Sequence, residues 1–86
     1  VRIVFTFRAW DDYLSWQVGD RKALRRINAL IADIIRNGHR GMGKPEELRH
    51  ALSGFWSRRI DQENRLVYRI RDEAIEIVAC RYHYQA

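Results

Sequence analysis

Phe55-Trp56-Ser57-Arg58-Arg59-Ile60 and Arg65-Leu66-Val67-Tyr68-Arg69-Ile70-Arg71, separated by Asp61-Gln62-Glu63-Asn64, read as two β-strands joined by a turn. Aromatic and β-branched side chains suit a pleated surface, and the polar tetrapeptide between them supplies turn chemistry. Trp56, Ile60, Leu66, Tyr68 and Ile70 fall at even positions, whereas Arg59, Arg65, Arg69 and Arg71 fall at odd ones. Successive side chains of a strand point to opposite faces, so the parity predicts one apolar face and one arginine face. A loop of odd length sets Arg59 opposite Arg65, and like charges so placed cost stability unless an anion sits between them. The alternative is a solvated face neutralised by Asp61, Glu63 and Glu73.

Downstream, Asp72-Glu73 marks a second turn and residues 74–82 a further strand. Ile75, Ile77 and Ala79 alternate there with Val78, Cys80 and Tyr82, which predicts an interior strand covered on both sides. Upstream, residues 1–7 alternate Val1, Ile3, Phe5 and Phe7 against Arg2, Val4 and Thr6, the pattern of a first strand. Residues 9–18 predict a helix with Trp10, Tyr13, Leu14 and Gln17 on one face and Asp11 and Asp12 in its first turn, ended by Gly19. Asp20 is a suitable N-cap for a second helix, whose stripe of Leu24, Ile27, Ile31 and Ile34, widened by Leu30 and Ile35, stops at Asn37-Gly38. Arg21, Lys22, Arg25 and Arg26 take its outer side and are expected in solvent. The short link between the helices predicts an antiparallel hairpin. Residues 38–43, with three glycines, predict a loop able to approach a partner closely, and residues 46–51 fit one short strand or turn. The expected fold is α+β, ordered β-α-α-β-β-β, with an antiparallel-rich twisted sheet carrying the helical hairpin on one face. Residues 1–86 are expected to form a single domain.

A chain of 86 residues holds one core and little spare stability. Its net charge is +5, and residues 36–71 carry nine basic side chains against four acidic ones, which points to a polyanionic partner. Arginine outnumbers lysine fourteen to two, a ratio suited to bidentate phosphate contacts and base stacking, though a GC-rich genome produces the same bias. Cys80 is the single cysteine, so an internal disulfide is excluded and the side chain reads as core filler. His39, His50 and His83 have no zinc-site spacing, and no metal or cofactor is expected. With no membrane-length apolar run and no secretory leader, a cytoplasmic protein without membrane association is expected.

Glu46 and Glu47 ordinarily read as surface carboxylates after the Lys44-Pro45 bend. Among arginines, one of them is also a candidate proton acceptor, although the same cations would weaken it as a base. A histidine near a chain end is ordinarily just exposed. His83 gains interest because an unperturbed imidazole, with a pKa of about 6.5, exchanges protons at cellular pH.

Lys44-Pro45-Glu46, Leu52-Ser53-Gly54-Phe55-Trp56-Ser57-Arg58-Arg59-Ile60, Arg65-Leu66-Val67-Tyr68 and Arg81-Tyr82-His83-Tyr84 together resemble the YoeB toxins of the RelE superfamily, as does Trp10-Asp11-Asp12-Tyr13. The resemblance implies a RelE-like microbial ribonuclease fold and the toxin half of a type II toxin-antitoxin pair. It further implies an endoribonuclease that cuts mRNA in the ribosomal A site and inhibits translation. By the same resemblance Glu46 is the general base, Arg65 the cation facing the transition state, His83 the general acid and Tyr84 a residue that orients substrate. Arg59 matches a further basic site residue, while Lys44 and Arg49 match positions that hold RNA or ribosome; Arg58 and Arg81 complete the expected RNA-binding set. The implied partners are mRNA and the ribosome, a YefM-like antitoxin, operator DNA reached through the antitoxin complex with the toxin as corepressor, and a second copy in a homodimer. Two departures stand out: Gln85-Ala86 extend past the His-Tyr end, and Arg49 stands where the family often has lysine.

The chemistry is coherent on its own terms. RNA carries its own nucleophile, the 2′-hydroxyl, so a base, a cation for the phosphate and an acid for the departing 5′-oxygen suffice. A non-catalytic toxin of the RelE/ParE fold acting on a protein such as gyrase, or a basic RNA-binding module, is the competing reading. It requires no acid and base and leaves the co-occurrence of Glu46, Arg65 and His83-Tyr84 without a purpose.

Overall fold

The computed structural model describes residues 1–82. The chain runs β1 (Arg2–Phe5), α1 (Phe7–Trp16), α2 (Arg21–Asn37), β2 (Glu46–Glu47), a 3-10 turn (His50–Leu52), β3 (Trp56–Arg59), β4 (Arg65–Arg71) and β5 (Ala74–Ala79). The strands form one sheet in the order β1-β5-β4-β3-β2, parallel between β1 and β5 and antiparallel elsewhere. Both helices contribute to a core with Ile27, Leu30 and Ile34 of α2, Ala9 and Trp16 of α1, and Leu66, Tyr68, Ile75 and Ile77 of the sheet. The expected architecture is therefore present, with one addition: the 46–51 region holds both a two-residue strand and a helical turn.

Local boundaries differ where tertiary contacts outweigh periodicity. Thr6, not a later residue, caps α1 by accepting from the Ala9 N–H at 3.1 Å. The helix thus begins early, Phe7 lies outside the first strand and is 88% exposed, and Asp11 and Asp12 fall beyond the first turn. The buried face of α1 carries Ala9 and Trp16 with Tyr13 packed against the core, whereas Trp10 and Leu14 are exposed, so the face is rotated from the expected one. Asp12 instead accepts from the Cys80 N–H at 3.0 Å while Trp16 Nε1 donates to the Cys80 carbonyl at 2.7 Å, so α1 clamps the end of β5. Asp20 caps α2 through the Ala23 N–H, as expected, and Gly38 ends it with φ at 66°.

The mixed pattern of β5 has a simple origin. A bulge against β4 shifts the register between Val67–Ala79 and Tyr68–Ile77, which inverts facing beyond that point. Ile75, Ile77 and Cys80 consequently all join the helix-covered core despite their mixed parity. β5 is interior, and its second face is buried at Ala79, paired with Val67, and half-buried at Glu76. Burial pushes the Cys80 thiol up to about 12, consistent with an inert core residue.

The RNA-binding assignment of Arg58 is overturned by its burial: the side chain is fully enclosed on the helix side of β3. Nη1 donates to Asp33 Oδ2 at 2.5 Å and to the Met42 carbonyl at 3.1 Å, and Nη2 to the carbonyls of Gly38 and Arg40 at 2.6 and 2.9 Å. Nε donates to the Tyr68 hydroxyl at 3.3 Å. A guanidinium whose donors are all engaged inside the protein has none to offer RNA. Asp33 also accepts from the Met42 N–H, so the 38–43 loop is wrapped around one ion pair. The loop glycines are required for that wrapping: a Cβ on Gly41 would lie 2.0 Å from Asp33 Oδ2.

The hydrogen bond from Arg58 holds the Asp33 carboxyl below the usual carboxylate range, against the opposing effect of burial. A depressed folded-state value stabilises the fold above the unfolded pKa and loses that contribution as pH falls through the folded one. Urea titrations from pH 7 downward should show the wild type losing stability through that acidic window more steeply than Asp33→Asn. Arg58→Ala should lower stability at neutral pH, because it removes the donors to Asp33 and to three loop carbonyls and empties a buried site. Equal acid dependence in wild type and Asp33→Asn would remove the pair from this role.

Candidate active site

The chain leaves the Arg58-anchored loop through Gly43, whose carbonyl accepts from the Arg59 N–H at 2.7 Å. A Cβ on Gly43 would lie 2.8 Å from Leu30 and 3.2 Å from Arg58 Cβ, so this close approach to β3 needs glycine. Lys44 follows at φ 51°, a left-handed conformation uncommon for a side-chain-bearing residue. Pro45 then starts the chain along the sheet edge, where Glu46 pairs with Ser57 and Glu47 with Trp56. Arg59 pairs with Arg65, as the parity of the hairpin predicts. Paired residues share a face, so Glu46, Ser57, Arg59 and Arg65 project together from the side of the sheet opposite the helices. Lys44, Pro45, Glu46, Leu48, Ser57, Arg59 and Arg65 line a cleft of about 360 Å³ there.

Arg65 is fixed along one edge. Its Nη1 donates to the carbonyls of Asp61 and Asn64 at 2.8 and 3.2 Å, leaving Nε and Nη2 without an acceptor among the described residues. The turn that supplies those carbonyls is built by Asp61, whose carboxylate accepts from the N–H groups of Glu63 and Asn64 at 2.8 and 2.7 Å and from the Asn64 amide. Burial opposes the Asp61 charge, but these hydrogen bonds outweigh it and hold the carboxyl below its usual range. Asn64 then reaches the C-terminal segment: its Oδ1 accepts from the Tyr82 N–H at 2.5 Å, and the Arg65 N–H donates to the Tyr82 carbonyl at 3.1 Å. His83 and Tyr84 lie outside the described residues.

The other basic positions are dispersed. Arg49 lines a hollow of about 560 Å³ that adjoins the cleft through Pro45, Glu46 and Leu48, together with Glu47, His50 and Ser53. Arg81 is not in the cleft wall; it donates to Ser15 Oγ at 2.7 Å and lies 4.3 Å above the Trp16 ring. Arg26, expected in solvent, donates to the Arg59 carbonyl and ties α2 to the end of β3. Ser57 escaped the sequence reading although its parity with Arg59 signalled the shared face. The Asp61–Arg65 relation was hidden because backbone carbonyls, which every residue has, do the holding.

The model of the YoeB-like toxin of bacterial type II toxin-antitoxin systems matches residues 5–84. The chain belongs to that YoeB-like toxin family. It is 51% identical over 84 residues to toxin YoeB of Escherichia coli K12, covering 98% of this chain and 100% of that one. Its structure superposes on a YoeB/ParE toxin from Agrobacterium tumefaciens with a TM-score of 0.95 at 42% identity, covering 98% and 100% of the two chains. A YoeB from Staphylococcus aureus, solved as a dimer, gives 0.91 at 46% identity with 98% of each chain covered. In a heterotetrameric YoeB-YefM complex from the same organism the values are 0.90 and 46%, again over 98% of each chain. In this YoeB-like chain the fold expected from the resemblance is thus found, and the family's motifs at Lys44-Pro45-Glu46 and Arg59…Arg65 meet around a single cleft.

Arg59 and Arg65, paired across the hairpin and lining one cleft, could together hold an anion. Inorganic phosphate should raise the melting temperature, and at ten times its Kd the gain is about 1.4 kcal/mol. Arg59→Ala and Arg65→Ala should each lose most of that response. A response unchanged in both variants would mean that the paired arginines do not create the anion site.

Proposed function

We propose that this toxin is a metal-independent endoribonuclease that cuts mRNA in the ribosomal A site by attack of the 2′-hydroxyl. The observation that carries the reading is the gathering of Glu46, Arg59 and Arg65 in one cleft on the helix-free face. Glu46 takes the 2′-hydroxyl proton, and the attacking oxygen forms a bond to phosphorus. Arg65 meets the charge gathering on the phosphoryl oxygens, with its free Nε and Nη2 edge turned from the loop that holds Nη1. His83, which follows Tyr82 in the chain, protonates the departing 5′-oxygen, and Tyr84 orients the substrate. Lys44, Arg49 and Arg59 hold RNA or ribosome; Arg81 does so from outside the cleft.

The same reading gives the partners. An acidic, YefM-like antitoxin segment folds over the basic face and inhibits the toxin, the pair binds operator DNA with the toxin as corepressor, and the toxin alone forms a homodimer in the cytoplasm. A non-catalytic toxin leaves the meeting of Glu46 and Arg65 in one cleft without use.

With programmed ribosomes supplied, Arg65→Ala should lower cleavage by roughly 10² to 10³ while the protein stays folded. Mass spectrometry of the fragments should find a 2′,3′-cyclic phosphate upstream and a 5′-hydroxyl downstream, and a 2′-deoxy substitution at the cut should abolish cleavage. His83→Gln should recover part of its lost rate on a substrate with a better leaving group. A 3′-hydroxyl with a 5′-phosphate would assign the attack to water and overturn the roles of Glu46 and His83.

A further inference from the structure

Beyond the cleft, β4 carries a second arginine built into the same helix-free face. Arg69 pairs in register with Glu76 of β5, and its Nε forms a short ion pair with Glu76 Oε1. Its guanidinium carbon lies 4.9 Å from the centre of the Phe55 ring. Glu76 is shared, since its other oxygen lies 3.6 Å from Arg71 Nη2, and Arg71 is also 3.9 Å from the exposed Asp72. Hydrogen bonds and charge from Arg69, then Arg71, keep the Glu76 carboxyl below its usual range.

The result parallels Arg65. Each guanidinium is held along one edge by the protein, Arg65 through Nη1 and Arg69 through Nε, and the remaining amino groups have no acceptor among the described residues. Each is therefore oriented before any ligand arrives, which removes part of the ordering cost of binding. The two stand on one face of one strand, four residues and about 13 Å apart at ~3.3 Å per residue. A single RNA strand crosses that distance within a few nucleotides. We propose that Arg69, laid on Phe55 and tethered by Glu76, is a second phosphate site that holds the RNA strand a few nucleotides from the scissile phosphate, with Phe55 and the guanidinium forming a stacking surface for a base.

RNA fits this surface better than an acidic peptide. A carboxylate could take the free guanidinium edge as a phosphate does, but only a nucleotide also brings a flat base for the aromatic-guanidinium pair. The inference rests on the RNA-cleaving reading above, and the two fail differently.

The test uses the full chain and a short single-stranded RNA, 2′-deoxy at the cut position, with cleavage of the all-ribose strand followed on programmed ribosomes. Arg69→Gln should raise Kd about tenfold and lower the slope of log K against log salt by about 0.7, the loss of one phosphate contact. On the ribosome KM should rise with kcat nearly unchanged. Arg69→Lys should restore the salt slope and only part of the affinity, because it keeps the charge without the planar fork. Unchanged Kd and slope in a folded Arg69→Gln protein, while the wild type binds and cuts, would overturn the Arg69 site alone. A wild type that neither binds nor cuts RNA would overturn both readings. Loss of binding to an acidic antitoxin peptide with RNA binding intact would assign the surface to that peptide instead.

Discussion

Arg58 is the constraint on which the rest of the site depends. It presents five N–H donors, and the fold supplies five acceptors: the Asp33 carboxylate, three carbonyls of the 38–43 loop and the Tyr68 hydroxyl. Burying a charge without such complete satisfaction would be prohibitive. Complete satisfaction has a geometric consequence, because the acceptors come from α2, the loop, and β4. One side chain of β3 thereby fixes a loop of irregular backbone that no regular element would hold. His39 reinforces the arrangement by stacking on Trp56 at 4.1 Å, its imidazole kept below its usual pKa chiefly by burial and then by the Arg58 charge.

From that loop the path to the cleft is short. Gly43 bonds to the Arg59 N–H, Lys44 takes a left-handed turn, and Glu46 enters the sheet edge beside Ser57. The buried arginine and the exposed one are sequence neighbours with opposite tasks: Arg58 holds the loop from beneath while Arg59 faces the cleft. The pleat of a strand makes that division, and it lets one dipeptide serve both structure and charge. On the open face the cations are held apart by different means, Arg65 by turn carbonyls and Arg69 by Glu76.

Much was legible in advance. The parity of the β3–β4 hairpin correctly set Arg59 across from Arg65, and the stripe of α2 correctly named Ile27, Leu30 and Ile34 as core. Arg58 stood in the RNA-binding set although its even number places it on the face of Trp56, Leu66 and Tyr68, where it is buried. The partner that justifies a buried charge, Asp33, lies 25 residues away, and local patterning has no access to it. The face of α1 was misjudged for a related reason. Trp10 and Leu14 look like core by periodicity, but the sheet selects Ala9 and Trp16, with Trp16 bonding the Cys80 carbonyl across 64 residues.

What the sequence by itself determined is what depends on neighbours in the chain. Strand parity, helix capping by Asp20, the turns at 61–64 and 72–73, and the excess of arginine all follow from local sterics and charge. The family could be read from its motifs in the same way, since they are contiguous. Only the tertiary structure decided which arginine is buried, that β1 lies parallel to β5, that a bulge brings Cys80 back to the core, and that Glu46 reaches the face of Arg65. Each of these turns on desolvation or pairing between residues far apart in sequence, where the energy belongs to the contact and neither residue alone carries its sign.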